Sequence, residues 1–167
     1  GLHRDAEAVD GLVTMAVGDE PGPARVAAEA LGRIAGQRAV SGLLQACRRD
    51  ADRMLEHALI YGLIEAGTPE LLRESLESDM TRVRRRALIA ADQLPLQQRR
   101  PASRADALLR GPLIAACRDP DPALRDTALW LISRHPEWAD SLAADVPAIL
   151  SRIAESRAGR AFRAGPG

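Results

Sequence analysis

The feature that most constrains this chain is a pattern that returns about every thirty residues. The stretches "ARVAAEAL", "MLEHALIY", "VRRRALIA" and "LRDTALWL" each set a small residue among aliphatic ones, at Ala28, Ala58, Ala87 and Ala128, spaced 30, 29 and 41 residues apart. The long interval contains "PLQQRRPASR" (residues 95–104). With that insertion taken out the period returns to about 31, within the range of stacked helical hairpins.

Slots around this anchor repeat as well. Ala24, Met54, Val83 and Leu124 stand four residues before it, and Leu31, Tyr61, Ala90 and Leu131 three after it. On a helix of 3.6 residues per turn these share the anchor's face, the one expected to be buried. Ala30, Ile60, Ile89 and Trp130 form an apolar flank, so the expected buried arc is broad. Arg25, Arg84 and Arg125 recur three before the anchor, with Leu55 as the exception, and Asp19, Asp50, Asp79 and Asp119 recur eight or nine before it. An Asp there is placed to cap the second helix or to meet an Arg from the neighbouring unit. In the first helices Leu12, Leu43, Leu72 and Leu113 share one slot, and Ala16, Cys47, Leu76 and Cys117 another.

This register predicts helix pairs at 5–17 with 21–35, 37–48 with 51–66, 69–77 with 80–94, 104–117 with 121–134, and a closing pair at 137–143 and 145–157. Gly and Pro punctuate the joints in "GDEPGP", "AGTP", "RDPDP" and "RHPEW". The reading is one all-α domain over 1–157, with an inserted loop at 95–104 and a disordered tail at 158–167. Composition agrees: 46% of residues are hydrophobic but only 2% aromatic, as suits helices packed on helices.

Charge narrows the function classes. Basic and acidic residues balance at 23 each, which removes a global electrostatic case for nucleic acid or an acidic membrane. Every basic side chain is Arg, so Schiff-base and phosphate-loop lysine chemistry is excluded. No apolar run approaches the roughly 20 residues that span a bilayer, and the start lacks the pattern of a secretion signal, so no membrane insertion is expected. A start without Met and an end in "RAGRAFRAGPG" suggest part of a longer protein.

The turn acid, the apolar-Arg pair and the small residue that follows, repeated at about thirty residues from Asp5 to Arg157, resemble the HEAT and HEAT-like repeat family. That resemblance implies a right-handed α-solenoid of about five helix pairs. Most such arrays are curved binding scaffolds, though some carry lyase or DNA-glycosylase activity. "HALIYGLIEAG" (57–67) and "RHPEWAD" (134–140) also resemble segments in HEAT modules of large planctomycete-type bacterial proteins. There a dehydrogenase domain precedes the repeats and a c-type haem domain follows, which implies a spacer role and a periplasmic or extracytoplasmic parent. This chain has no C-x-x-C-H and so no covalent haem site of its own.

Candidate sites weigh towards structure. Cys47 and Cys117 share a slot with Ala16 and Leu76, where a thiol packs as a small hydrophobe; two repeats apart, about 20 Å at about 10 Å per helix layer, they are too distant for a disulfide. His57 has no acid one turn away, since Arg53 precedes it and Tyr61 follows. His135 is placed to meet free carbonyls at a helix end, Trp130 fills a core slot, and Trp138, near an end of the array, is the better binding platform of the two tryptophans. Arg82, Arg85 and Arg86, with Arg99, Arg100 and Arg104 downstream, form the richest basic run, but aromatic interleaving is absent and Glu70, Glu74 and Glu77 adjoin it. Glycine-rich phosphate loops, H-E-x-x-H and G-x-S-x-G are all missing, so no catalytic residue, metal or cofactor is assigned.

The sequence therefore predicts a non-catalytic interaction scaffold or spacer. Its partner is another protein or another domain of the same parent chain, and its candidate contact residues are Arg53, His57, Arg82, Arg85, Arg86, Asp126 and Trp138. A nucleic-acid-binding or DNA-glycosylase/lyase-like array built on Arg82–Arg86, and a spacer in a haem-linked dehydrogenase, are the alternatives.

Overall fold

The computed structural model describes residues 2–94 and 102–135, with Trp138, Pro147 and Ser151. Among the described residues the chain is all-helical, with eight α-helices, one 3-10 helix and no strand: α1 (Leu2–Val17), α2 (Pro21–Ile34), α3 (Gly36–Ala46), α4 (Arg53–Ala66), α5 (Pro69–Leu72), the 3-10 helix Glu74–Glu77, α6 (Thr81–Asp92), α7 (Ala102–Cys117) and α8 (Pro122–Ser133). These bounds follow the expected pairs within a few residues. The segment expected as one helix over 69–77 instead breaks at Arg73, where the Ser75 hydroxyl donates to the Leu72 carbonyl at 2.6 Å and the chain tightens into the 3-10 turn. Ala102 and Ser103, expected in the loop, open α7. The rest of that loop lies outside the described residues, as do the 158–167 tail and the closing pair at 137–143 and 145–157, save the three single positions named above.

Local chemistry sets the helix starts. Proline opens α2, α5 and α8, where its missing N–H costs nothing. Asp52 caps α4 by accepting from the Met54 and Leu55 N–H groups at 2.9 and 2.8 Å; Asp121 caps α8 through Leu124 N–H at 2.9 Å, and Thr68 caps α5. The recurring acids are therefore not the caps. In α4 and α8 the cap stands two residues later, which frees Asp50 to pair with Arg82 at 2.7 Å and Asp119 to accept from the Asp121 N–H.

The chain divides into two compact units, Gly1–Arg110 and Gly111–Gly167. In the first, α1 packs on α2 and α3, α2 on α4, and α4 on α3 and α6. Helices α2 and α4 run parallel: Arg49, ahead of α4, donates to the Asp19 carbonyl ahead of α2, and Gly32 meets Gly62 near their far ends. There the backbones are so close that a Cβ on Gly32 would lie 2.8 Å from Gly62 Cα, and one on Gly62 would lie 2.8 Å from the Ala28 carbonyl oxygen. Only glycine permits that approach.

Burial confirms the anchors Ala28, Ala58, Ala87 and Ala128 as core, together with Cys47 and Cys117, but it corrects the register in α4. Met54 and Tyr61, expected inside, are 58% and 47% exposed. The buried set is Leu55, Ala58, Leu59, Gly62 and Leu63, which matches Ala24, Ala27, Ala28, Leu31 and Gly32 of α2 at an offset of 31. Leu59 thus stands where Ala28 stands, Tyr61 corresponds to Ala30, and Glu56 to Arg25. In the second unit Leu113, Cys117, Leu124, Ala128 and Leu131 are buried. Trp130, expected in the core, is 45% exposed, with the Arg134 guanidinium 5.0 Å from its ring centre.

Candidate interaction surface

The basic run on α6 is spent inside the first unit. Arg86 sits in the slot of Ala27 and Ala58 and is only 3% exposed. Its guanidinium donates to the Cys47 carbonyl at 2.7 Å, to the Arg49 carbonyl at 3.1 Å and to the Glu56 carboxylate at 3.1 Å. The Cys47 carbonyl belongs to the C-cap of α3 and the Arg49 carbonyl to the turn just after it, so Arg86 ties off that helix end from a neighbouring layer. Arg85 pairs with the same Glu56 carboxylate, and Arg82 pairs with Asp50 while donating to the Arg48 carbonyl at 3.3 Å. Arg84 donates to the Ser78 carbonyl at 2.8 Å. Arg86 therefore lies outside any contact surface, and Arg82 and Arg85 reach solvent with their charge already matched.

The face left open is on α2 and α4. Counting round each helix from its buried centre at 100° per residue, the outward line carries Val26 and Arg33 on α2 and Arg53 and His57 on α4, with Tyr61 and Met54 on one flank of it. Val26 is 54% exposed, and Arg25, Arg33, Arg53 and His57 are also exposed. His57 and Tyr61 stack along one side of α4 with ring centres 6.3 Å apart. Hydrogen bonding to the neighbouring Glu65 carboxylate, with its charge, holds the Tyr61 phenol above its ordinary pKa. Arg53 and His57 were legible as surface residues. Val26 and Arg33 were not named and Arg25 was read only as a recurring slot, while the one-residue slip in α4 turned Met54 and Tyr61 inward.

In the second unit Asp126 is exposed, while Trp138 is 6% exposed and stacks on His135 with ring centres 3.9 Å apart. A buried indole offers no platform, so among the described residues the exposed aromatic of that unit is Trp130. The Arg125 side chain folds back to the Asp119 carbonyl at 2.7 Å and the Pro120 carbonyl at 2.9 Å.

Both cysteines are free and buried. Burial pushes the Cys47 thiol up to about 12 against the opposing pull of Arg86, and the Cys117 thiol up to about 11. Neither is a nucleophile near neutral pH. Among the described residues no three His, Cys, Asp or Glu side chains are grouped to hold a metal ion, and no helix is long and apolar enough to cross a membrane. The sequence matches no known protein-family model and no curated protein.

Proposed function

We propose that the chain is a HEAT-like repeat module, a right-handed α-solenoid that acts without catalysis as a protein-interaction scaffold or spacer, and that its contact surface is the outer face of α2 and α4. The observation that carries this reading is the placing of Val26, Met54 and Tyr61 in solvent on two parallel, tightly packed helices. Large apolar side chains gathered on rigid elements gain by being covered, and aromatic and Met side chains are favoured at interface centres. The repeat reading draws support from the spacing of polar contacts between layers. Arg38 with Asp10, Arg49 with Asp19, Arg85 and Arg86 with Glu56, and Arg82 with Asp50 and Arg48 span between 28 and 34 residues, close to one repeat, while Arg86 reaches 37 and 39 residues back to the Arg49 and Cys47 carbonyls.

The partner is another protein or another domain of the same parent chain. Co-purification from cells expressing the full-length parent tests the surface. A double Met54→Asp, Tyr61→Asp variant that keeps its helical circular dichroism is expected to lose the partner that the unaltered chain retains. Undiminished retention contradicts the proposed face.

A further inference from the structure

We infer that the α2–α4 face receives an acidic amphipathic segment of its partner, apolar side chains lying over Val26, Met54 and Tyr61 and carboxylates meeting Arg25, Arg33 and Arg53. This rests on the scaffold reading and adds the partner's chemistry to it.

The decisive residue is Arg25. Its counterparts Arg84 and Arg125 both fold back onto the carbonyl six residues earlier, at Ser78 and Asp119. The carbonyl corresponding to these for Arg25 is that of Asp19, and it accepts from Arg49 at 3.3 Å. Arg25 is displaced from the role its slot has elsewhere and stands exposed. Among the described residues it has no hydrogen-bond or ion-pair partner, and neither have Arg33 and Arg53. Two acids share the face: Glu29 is half-buried, and Glu65 takes the Tyr61 hydroxyl.

The next seam shows what such a position accepts. Glu56, which corresponds to Arg25 in the 31-residue register, is held by Arg85 and Arg86 across the α4–α6 seam. A carboxylate brought to Arg25 by a partner would make the same kind of pair, charge-assisted and suited to the guanidinium fork. Apolar side chains between the arginines select an amphipathic segment over a nucleic acid, whose backbone offers them no apolar cover. A second copy of the chain is disfavoured, since two-fold pairing would set the arginine-bearing face against itself.

Fluorescence anisotropy tests this with two synthetic peptides of about four helical turns. Both carry Leu and Phe on one face; the other face is Glu and Asp in one peptide and Lys in its counterpart. The acidic peptide is expected to bind, more weakly as salt rises, and the basic one at least about tenfold less tightly. Arg25→Glu, Arg33→Glu and Arg53→Glu together are expected to reverse that order with circular dichroism unchanged. Equal binding of both peptides, binding of neither, binding of duplex DNA in their place, or self-association of the chain abolished by the same substitutions overturns the inference. Loss of the parent's partner in the Met54→Asp, Tyr61→Asp variant but not in the triple-Glu variant removes the acidic segment and leaves the scaffold. Retention by both variants removes the scaffold face itself.

Discussion

The Arg86 guanidinium donates to the Cys47 carbonyl at 2.7 Å, tying α6 to the end of α3 across 39 residues of chain. Replacing Arg86 with Ala strips donors from the buried Cys47 carbonyl, the half-buried Arg49 carbonyl and Glu56, and opens a cavity between layers. A loss of roughly 3 kcal/mol is expected, read as a fall in the urea midpoint. Arg85→Ala leaves Glu56 paired with Arg86 and is expected to cost about 1 kcal/mol or less. Equal effects would refute the assignment of the inner role to Arg86.

A similar contrast is expected among glycines. Gly62→Ala forces a Cβ against the Ala28 carbonyl oxygen, and the two helices must part, at a cost of about 1–3 kcal/mol. Gly11 lies inside α1 with open space where its Cβ would be, so Gly11→Ala is expected to stabilise by about 0.5–1 kcal/mol. Thermal midpoints of the two variants should move in opposite directions.

Asp52→Ala removes the acceptor for the Met54 and Leu55 N–H groups and is expected to cost about 1 kcal/mol. Asp50→Ala removes only a pair with Arg82 in which the aspartate is almost wholly exposed, and should cost about 0.5 kcal/mol or less. Chemical denaturation of the two variants separates the cap from its neighbour.

Burial raises the Cys47 thiol from 9.0 to about 12, so the folded state holds its proton where the unfolded chain has released it. The stability this contributes is complete below pH 9 and is lost as pH rises from 9 towards 12, at about 1.4 kcal/mol per pH unit for this one group. Cys47→Ala is expected to flatten that fall, measured by urea melts at about pH 8 and about pH 10.5. A thiol-specific reagent should label Cys47 and Cys117 only after unfolding.

Much of this molecule was legible in the sequence because repetition and punctuation act locally. Pro21, Pro69 and Pro122 marked helix starts, and the slots of Leu43, Leu72 and Leu113 and of Cys47, Leu76 and Cys117 all proved buried. The slip in α4 arose because "HAL" resembles "RAL" and "TAL", so a small residue was aligned with small residues. Burial there instead follows Leu55, Leu59 and Leu63, spaced four apart. Leu55 as the exception in the arginine slot was the visible trace of that slip. Arg86 stood in a slot that the sequence register shared among Ala27, His57 and Thr127, and no pattern within one helix shows that its charge is needed by carbonyls 37 and 39 residues earlier. Trp138, weighed as core first and as a binding platform second, is buried against His135, whereas Trp130, expected in the core, is exposed.

Hydrogen–deuterium exchange of the chain alone and in complex with a co-purified partner protein tests the contact surface most directly. Slowed exchange in complex is expected within 22–34 and 53–65, with α1 and α3 unchanged. Protection confined to α1 and α3, or equal in all helices of the first unit, would contradict the assignment of α2 and α4 as the partner-binding face.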